Sequence, residues 1–182
     1  VAGLGLGVVL SLELTGLDKS TLGQTGPLLI FIGRLTALVG TYGVLLTLFL
    51  IARIPLLERE VGLDRTVTWH RKLAPWSMLL IAIHVVTTVL GYAITANASA
   101  LSEFWNLLTT TRWILPATAG FILMVVASVS SYRKIRTKIA YETWWVIHIY
   151  TYLAIALAYA HQVTLGNALV KSPTAAKAWL IA

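Results

Sequence analysis

The chain has 182 residues, of which 58% are hydrophobic, and its mean hydropathy is +0.81. This composition is far too apolar for a soluble domain and predicts that lipid is the solvent. The net charge is +7, and there is no cysteine, which excludes disulfides, cysteine-bound iron–sulfur clusters, thiolate-bound haem and covalently attached haem.

Four apolar stretches each approach the ~20 residues that cross a bilayer as a helix. They are 27–52, 73–96, 113–130 and 143–160. The apolar segment Val1–Leu12 is too short to span, and we expect it to be the end of a preceding helix, with Lys177–Ala182 beginning another. The chain is therefore predicted to be part of a longer protein. Its expected fold is all-α, a polytopic transmembrane helix bundle with four complete and two partial helices.

Local signals refine these boundaries. Asp64 is predicted to cap the helix that carries His70, and Pro75 and Pro116 are expected early in their helices. The segment from Pro55 to Arg65 suggests a short amphipathic helix on the inner membrane surface. A face of small residues predicts close helix packing; its members are Gly33, Ala37, Gly40 and Gly43.

Positive charge is concentrated in two connections, which by the positive-inside rule are cytoplasmic. The first, after residue 52, carries Arg53, Arg59, Arg65, Arg71 and Lys72; the second, after residue 130, carries Arg133, Lys134, Arg136 and Lys138. The basicity is thus explained by topology, and no nucleic-acid partner is expected. The chain is predicted to be an integral protein of the plasma membrane.

The four histidines form two pairs, which carry most of the functional information. His70 and His84 lie fourteen residues apart, and His148 and His161 thirteen apart, on two helices predicted to run parallel. An imidazole in a membrane helix is costly unless it faces the interior and has a partner. The helix rise is about 21 Å for one pair and about 19.5 Å for the other. The pattern therefore predicts axial ligands for two stacked b-type haems, His70 with His148 on the cytoplasmic side and His84 with His161 on the outer side.

The directions of the side chains agree less well than their depths. On an ideal helix, fourteen residues return His84 to within about 40° of His70, whereas thirteen leave His161 about 140° from His148. A bulge, a strong tilt or different approach angles to the two haems must absorb the difference.

Other interpretations stay open at this point. Membrane histidines also form hydrogen bonds between helices, or line ion and proton paths, although such paths usually include Asp or Glu. A cytochrome b subunit serving a separate reductase is a further alternative. Arg34, in the first complete span, is either a snorkelling interfacial residue or a fixed positive charge beside the outer haem.

Several of these residues, at their spacing in the chain, resemble the sequence pattern of a known family. The run Trp69-His70-Arg71, His84, the run Tyr141-Glu142-Thr143-Trp144, His148 and His161-Gln162 resemble the ferric reductase-like transmembrane domain, from about Gly33 to Gly166. NADPH oxidases and ferric-chelate reductases belong to that family. The resemblance implies six helices, two haem b groups and a cytoplasmic dehydrogenase domain after residue 182 that passes electrons from NAD(P)H through FAD.

The resemblance also implies roles for individual residues. His70 and His148 would ligate the inner haem, and His84 and His161 the outer one. Arg34 matches the arginine beside the outer haem at the oxygen site of the oxidases. Those oxidases carry a further histidine where this chain has Thr88, so the resemblance leaves both oxygen and ferric iron open as the acceptor.

Overall fold

The computed structural model describes residues 23–165, together with the single positions Gly7, Leu10, Ser11 and Leu14. In this part of the chain every regular element is a helix, which confirms the all-α prediction. The helices are α1 (Thr25–Ile51), α2 (Pro55–Val61), α3 (Leu63–Thr95), α4 (Ala100–Thr110), α5 (Ile114–Ser131), α6 (Arg133–Arg136) and α7 (Tyr141–Leu165). The partial helices predicted at Val1–Leu12 and Lys177–Ala182 lie outside the continuously described residues.

Four of these helices, α1, α3, α5 and α7, are long and apolar enough to cross a membrane. They coincide with the four predicted spans, and most ends agree within a few residues. The exception is α3, which begins at Leu63, ten residues before its apolar stretch. This early start places His70 inside the helix, as predicted.

The chain divides into two compact units, Val1–Ala100 and Leu101–Ala182. In the first unit α1 packs along α3, and in the second α5 packs against α7. Both contacts are made by small residues, while large apolar side chains such as Trp76, Val86 and Ile122 point outward. This arrangement suits a lipid solvent, because small residues let helix backbones approach closely and lipid solvates the apolar exterior.

The junction between α2 and α3 differs from the prediction in two ways. Gly62, with φ +88°, ends α2 and is also the N-cap of α3, so the expectation that Asp64 caps this helix is wrong. A left-handed φ favours glycine, and Asp64 instead lies in the first turn, where its charge suits the helix dipole. Because α3 starts so early, Pro75 lies well inside it rather than near its start, whereas Pro116 is in the first turn of α5.

The helix α4 was not predicted. Its apolar residues recur at the spacing of an amphipathic helix, a signal available in the sequence. Leu101 and Trp105 on that face are 80% and 65% exposed, whereas Glu103 is buried and accepts hydrogen bonds from Asn106. The segment is only eleven residues long, which is too short to cross a membrane, and it follows a long apolar span.

Candidate functional site

The contact between α1 and α3 follows a seven-residue repeat on both helices. Buried small residues recur on α1, and two of the histidines belong to the matching series on α3. The α1 series is Gly26, Gly33, Gly40 and Thr47, and the α3 series is His70, Ser77, His84 and Gly91. The helices are antiparallel, so the start of one series meets the end of the other. A strict seven-residue repeat is typical of a left-handed helix pair.

This repeat explains why His70 and His84 share one face. On a straight helix the direction drifts by about 20° per seven residues, which gives the 40° offset between them. A left-handed supercoil, which a seven-residue repeat favours, removes that drift. Both imidazoles consequently meet α1 in the same way.

Each of these imidazoles contacts a backbone carbonyl of α1 through Nδ1. The distance is 3.1 Å from His70 Nδ1 to the Thr47 oxygen and 2.9 Å from His84 Nδ1 to the Gly33 oxygen. A carbonyl oxygen only accepts hydrogen bonds, so Nδ1 carries the proton and donates it. In the neutral imidazole the lone pair then resides on Nε2, the nitrogen that can ligate a metal.

Close backbone approach makes the bond from His84 to the Gly33 carbonyl possible. A Cβ added at Gly33 would collide with the Thr88 hydroxyl and lie 3.0 Å from that of Thr87. The Thr88 hydroxyl is itself 3.2 Å from His84 Nδ1. Gly33, Thr88 and His84 therefore form one tightly packed group, in which a side chain at position 33 would strike the threonine hydroxyl beside the imidazole.

In the second unit, His148 is held by side chains rather than by a carbonyl. The Ser131 hydroxyl lies 3.4 Å from His148 Nδ1, donates to the Ala127 carbonyl at 2.7 Å, and accepts from Trp144 Nε1 at 3.1 Å. A hydroxyl has one proton, which goes to Ala127, so toward the imidazole Ser131 is an acceptor. His148 therefore also carries its proton on Nδ1 and its lone pair on Nε2.

His161 lies half-buried near the C-terminal end of α7. The helix is uninterrupted from Tyr141 to Leu165, so the bulge considered as an explanation for the thirteen-residue spacing is wrong. Tilt or different approach angles remain to account for the directions of His148 and His161.

Arg34 directly follows Gly33 on α1 and is half-buried. Since the Gly33 carbonyl accepts the hydrogen bond of His84, the backbone of Arg34 lies at the level of that histidine within the first unit.

The donor set fits a haem. In three histidines hydrogen bonding directs the lone pair to Nε2, which is how metal-bound histidines are usually oriented by a carbonyl or another acceptor. Within residues 23–165 no three His, Cys, Asp or Glu side chains cluster to hold a metal ion, whereas a haem can be held by two histidines.

The sequence was also compared with known proteins. Residues 36–159, more than half of the chain, match the family described as ferric reductase like transmembrane component. The chain belongs to this family. The match to the ferric reductase-like family includes His70, His84 and His148, begins two residues after Arg34 and ends two residues before His161. No match was found among curated proteins or solved structures.

Sequence reasoning missed the groups that orient the histidines. The carbonyls of Gly33 and Thr47 carry no side-chain signal, although the glycine repeat marks where α1 approaches closely. Ser131 could not be singled out either, since serine is common at helix ends and its partner His148 lies seventeen residues away. The predicted small-residue face of α1 is confirmed, with Gly33, Gly40 and Gly43 buried and Ala37 half-buried.

Proposed function

We propose that this chain is the membrane domain of an NAD(P)H-dependent oxidoreductase and carries electrons across the bilayer through two b-type haems. The supporting observation is the hydrogen bonding of His70, His84 and His148, in each of which Nδ1 donates and Nε2 carries the lone pair. Membership of the ferric reductase-like family supports the same assignment. A haem iron with two imidazole ligands supplies a one-electron couple and no position for substrate.

The pairing of ligands follows from the predicted topology. His70 and His148 hold the haem nearer the basic connections, and His84 and His161 hold the other. The residues of α1 orient the imidazoles of α3, and those of α5 orient His148. A flavin dehydrogenase domain on the cytoplasmic side is the proposed donor, and oxygen or a ferric chelate on the outer side is the proposed acceptor.

A reduced-minus-oxidised absorption spectrum of the purified chain, with haem measured per polypeptide, tests this function. We expect sharp low-spin b-type bands and two haems per chain. A folded, colourless protein would contradict the proposal and would instead favour a histidine-lined ion path. FAD and NAD(P)H are expected only on the dehydrogenase domain, so their addition to this chain should not change the spectrum.

Arg34 is proposed to attract an anionic acceptor or stabilise an anionic product at the outer haem. Arg34→Gln should leave two haems per chain but slow reoxidation of the dithionite-reduced chain by an anionic ferric chelate about tenfold, the equivalent of ~1.4 kcal/mol. Stopped-flow absorbance measures this rate without the dehydrogenase domain.

Arg112→Gln is the matched control, because it removes the same charge from the connection between α4 and α5, on the same predicted side of the membrane. A cationic acceptor such as ruthenium hexaammine should not be slowed by Arg34→Gln. Equal slowing with both acceptors would contradict the electrostatic role of Arg34.

A further inference from the structure

The environment of His148 differs from that of the two histidines on α3. The acceptors of His70 and His84 are carbonyls at 3.1 and 2.9 Å, whereas that of His148 is the Ser131 hydroxyl at 3.4 Å. Typical N–H···O bonds measure 2.7–3.2 Å, so the bond to His148 is long and weak. This hydrogen bond therefore orients His148 less strongly than the carbonyl bonds orient His70 and His84.

The Ser131 oxygen is shared by two donors. Ser131 receives the Nε1–H of Trp144 at 3.1 Å, closer than the imidazole. With its own proton donated to the Ala127 carbonyl, the hydroxyl offers two lone pairs to two donors. If the Trp144 donor is removed, the Ser131 oxygen can accept a stronger hydrogen bond from His148.

Trp144 also contacts His148 directly. The two residues are one turn apart on α7, and their rings stack with centroids 5.0 Å apart and an interplanar angle of 23°. The Arg136 guanidinium also lies 4.7 Å from the Trp144 ring, and its Nη1 donates to the Ile139 carbonyl. The indole thus contacts both a cation and the imidazole, and the stack restricts rotation of the imidazole plane.

We propose that Ser131 and Trp144 are positioning residues that set the electron-donating strength and ring plane of His148, and that their hydrogen bonds act in opposite directions. Ser131 strengthens the imidazole as a ligand by accepting its Nδ1 proton, because such a bond raises ligand basicity. Trp144 weakens that bond by occupying the same hydroxyl, while its ring fixes the plane of the imidazole. This inference rests on the proposed function, since it takes His148 as a haem ligand.

Potentiometric titration of the haem bands in the purified full chain tests the proposal. A more basic axial imidazole favours the oxidised iron, so Ser131→Ala should raise the midpoint potential of one haem and leave the other unchanged. Trp144→Phe keeps an aromatic ring on His148 but removes the N–H, so it should lower the potential of that same haem. Trp144→Ala should in addition change the low-spin electron paramagnetic resonance g values, which report the axial imidazole planes.

Ser130→Ala is the matched control. Its hydroxyl also donates to the Ala127 carbonyl, at 2.9 Å, and is buried on the preceding residue of α5. It should shift neither potential. If Ser131→Ala does not fold, Ser131→Cys keeps the side-chain size with a weaker acceptor and should raise the same potential by less.

Each outcome separates this inference from the proposed function. If both variants hold two haems per chain, equal midpoint potentials in Ser131→Ala and Ser130→Ala would overturn the role of Ser131. A higher rather than a lower potential in Trp144→Phe would overturn the competition. Absence of haem from the unmodified chain would overturn the proposed function itself.

Discussion

His84→Ala is expected to lower the haem content from two to one per chain and to abolish electron transfer to an outer acceptor. The substitution removes the nitrogen that we propose as a ligand of the outer haem, and it leaves the Gly33 carbonyl without the donor it has at 2.9 Å. Without that nitrogen the outer haem has one protein ligand and should be lost on purification. Pyridine haemochrome analysis gives the haem content, and stopped-flow reoxidation of the dithionite-reduced protein gives the transfer rate.

Thr88→Ala is the control for His84→Ala, because its hydroxyl contacts the same imidazole at 3.2 Å but is not a proposed ligand. It should retain two haems. Imidazole added to His84→Ala during preparation should restore part of the missing haem by occupying the vacated position. Two haems per chain in His84→Ala would show that His84 is not an axial ligand. His70→Ala should lose the other haem, with a different residual spectrum.

Gly33→Ala is expected to destabilise the packing of α1 on α3. The added methyl group would collide with the Thr88 hydroxyl and crowd the Thr87 hydroxyl and the Thr88 backbone nitrogen, at 3.0 and 3.3 Å. Overpacking of this kind typically destabilises by about 1–3 kcal/mol. Separation of α1 from α3 would also lengthen the bond from His84 to the Gly33 carbonyl. We therefore expect a lower unfolding temperature in detergent and weaker retention of the outer haem.

Two further variants show whether the collision is the cause of these effects. Gly7→Ala adds the same methyl group at a helical position with open space around it, so it should not lower the unfolding temperature. Thr88→Ala combined with Gly33→Ala removes the hydroxyl that the methyl would strike, and should recover part of the lost stability. Equal destabilisation by Gly33→Ala and Gly7→Ala would contradict the tight packing of α1 on α3.

Some predictions about the histidines could be made from spacing, but their accuracy depended on the neighbouring helix. A spacing of fourteen residues predicts a shared face for His70 and His84 with an angular offset of about 40° on an ideal helix. Despite that offset, both imidazoles contact backbone carbonyls of α1. For His148 and His161 the sequence left three explanations open, and the continuous α7 eliminates the bulge. An angle between helices is not a property of one helix, which is why spacing alone could not choose.

Boundaries were predicted well where they depend on hydropathy and less well where they depend on backbone geometry. The four spans follow from the lengths of the apolar stretches, and those lengths can be read directly from the sequence. The start of α3 depends on the left-handed conformation of Gly62, and a capping aspartate two residues later was a plausible but wrong choice. The unpredicted α4 has the amphipathic spacing of a helix but is too short to span a membrane.

By itself the sequence determined the solvent, the helical class, the four spans and the identity of the candidate ligands, because each depends on residue type and on distance along the chain. The tertiary structure decided which ring nitrogen carries the proton in His70, His84 and His148. That property depends on the atom that another helix brings next to Nδ1: the carbonyls of Gly33 and Thr47 on α1, and the Ser131 hydroxyl on α5. Only packing brings together groups that lie 17 to 51 residues apart in the chain.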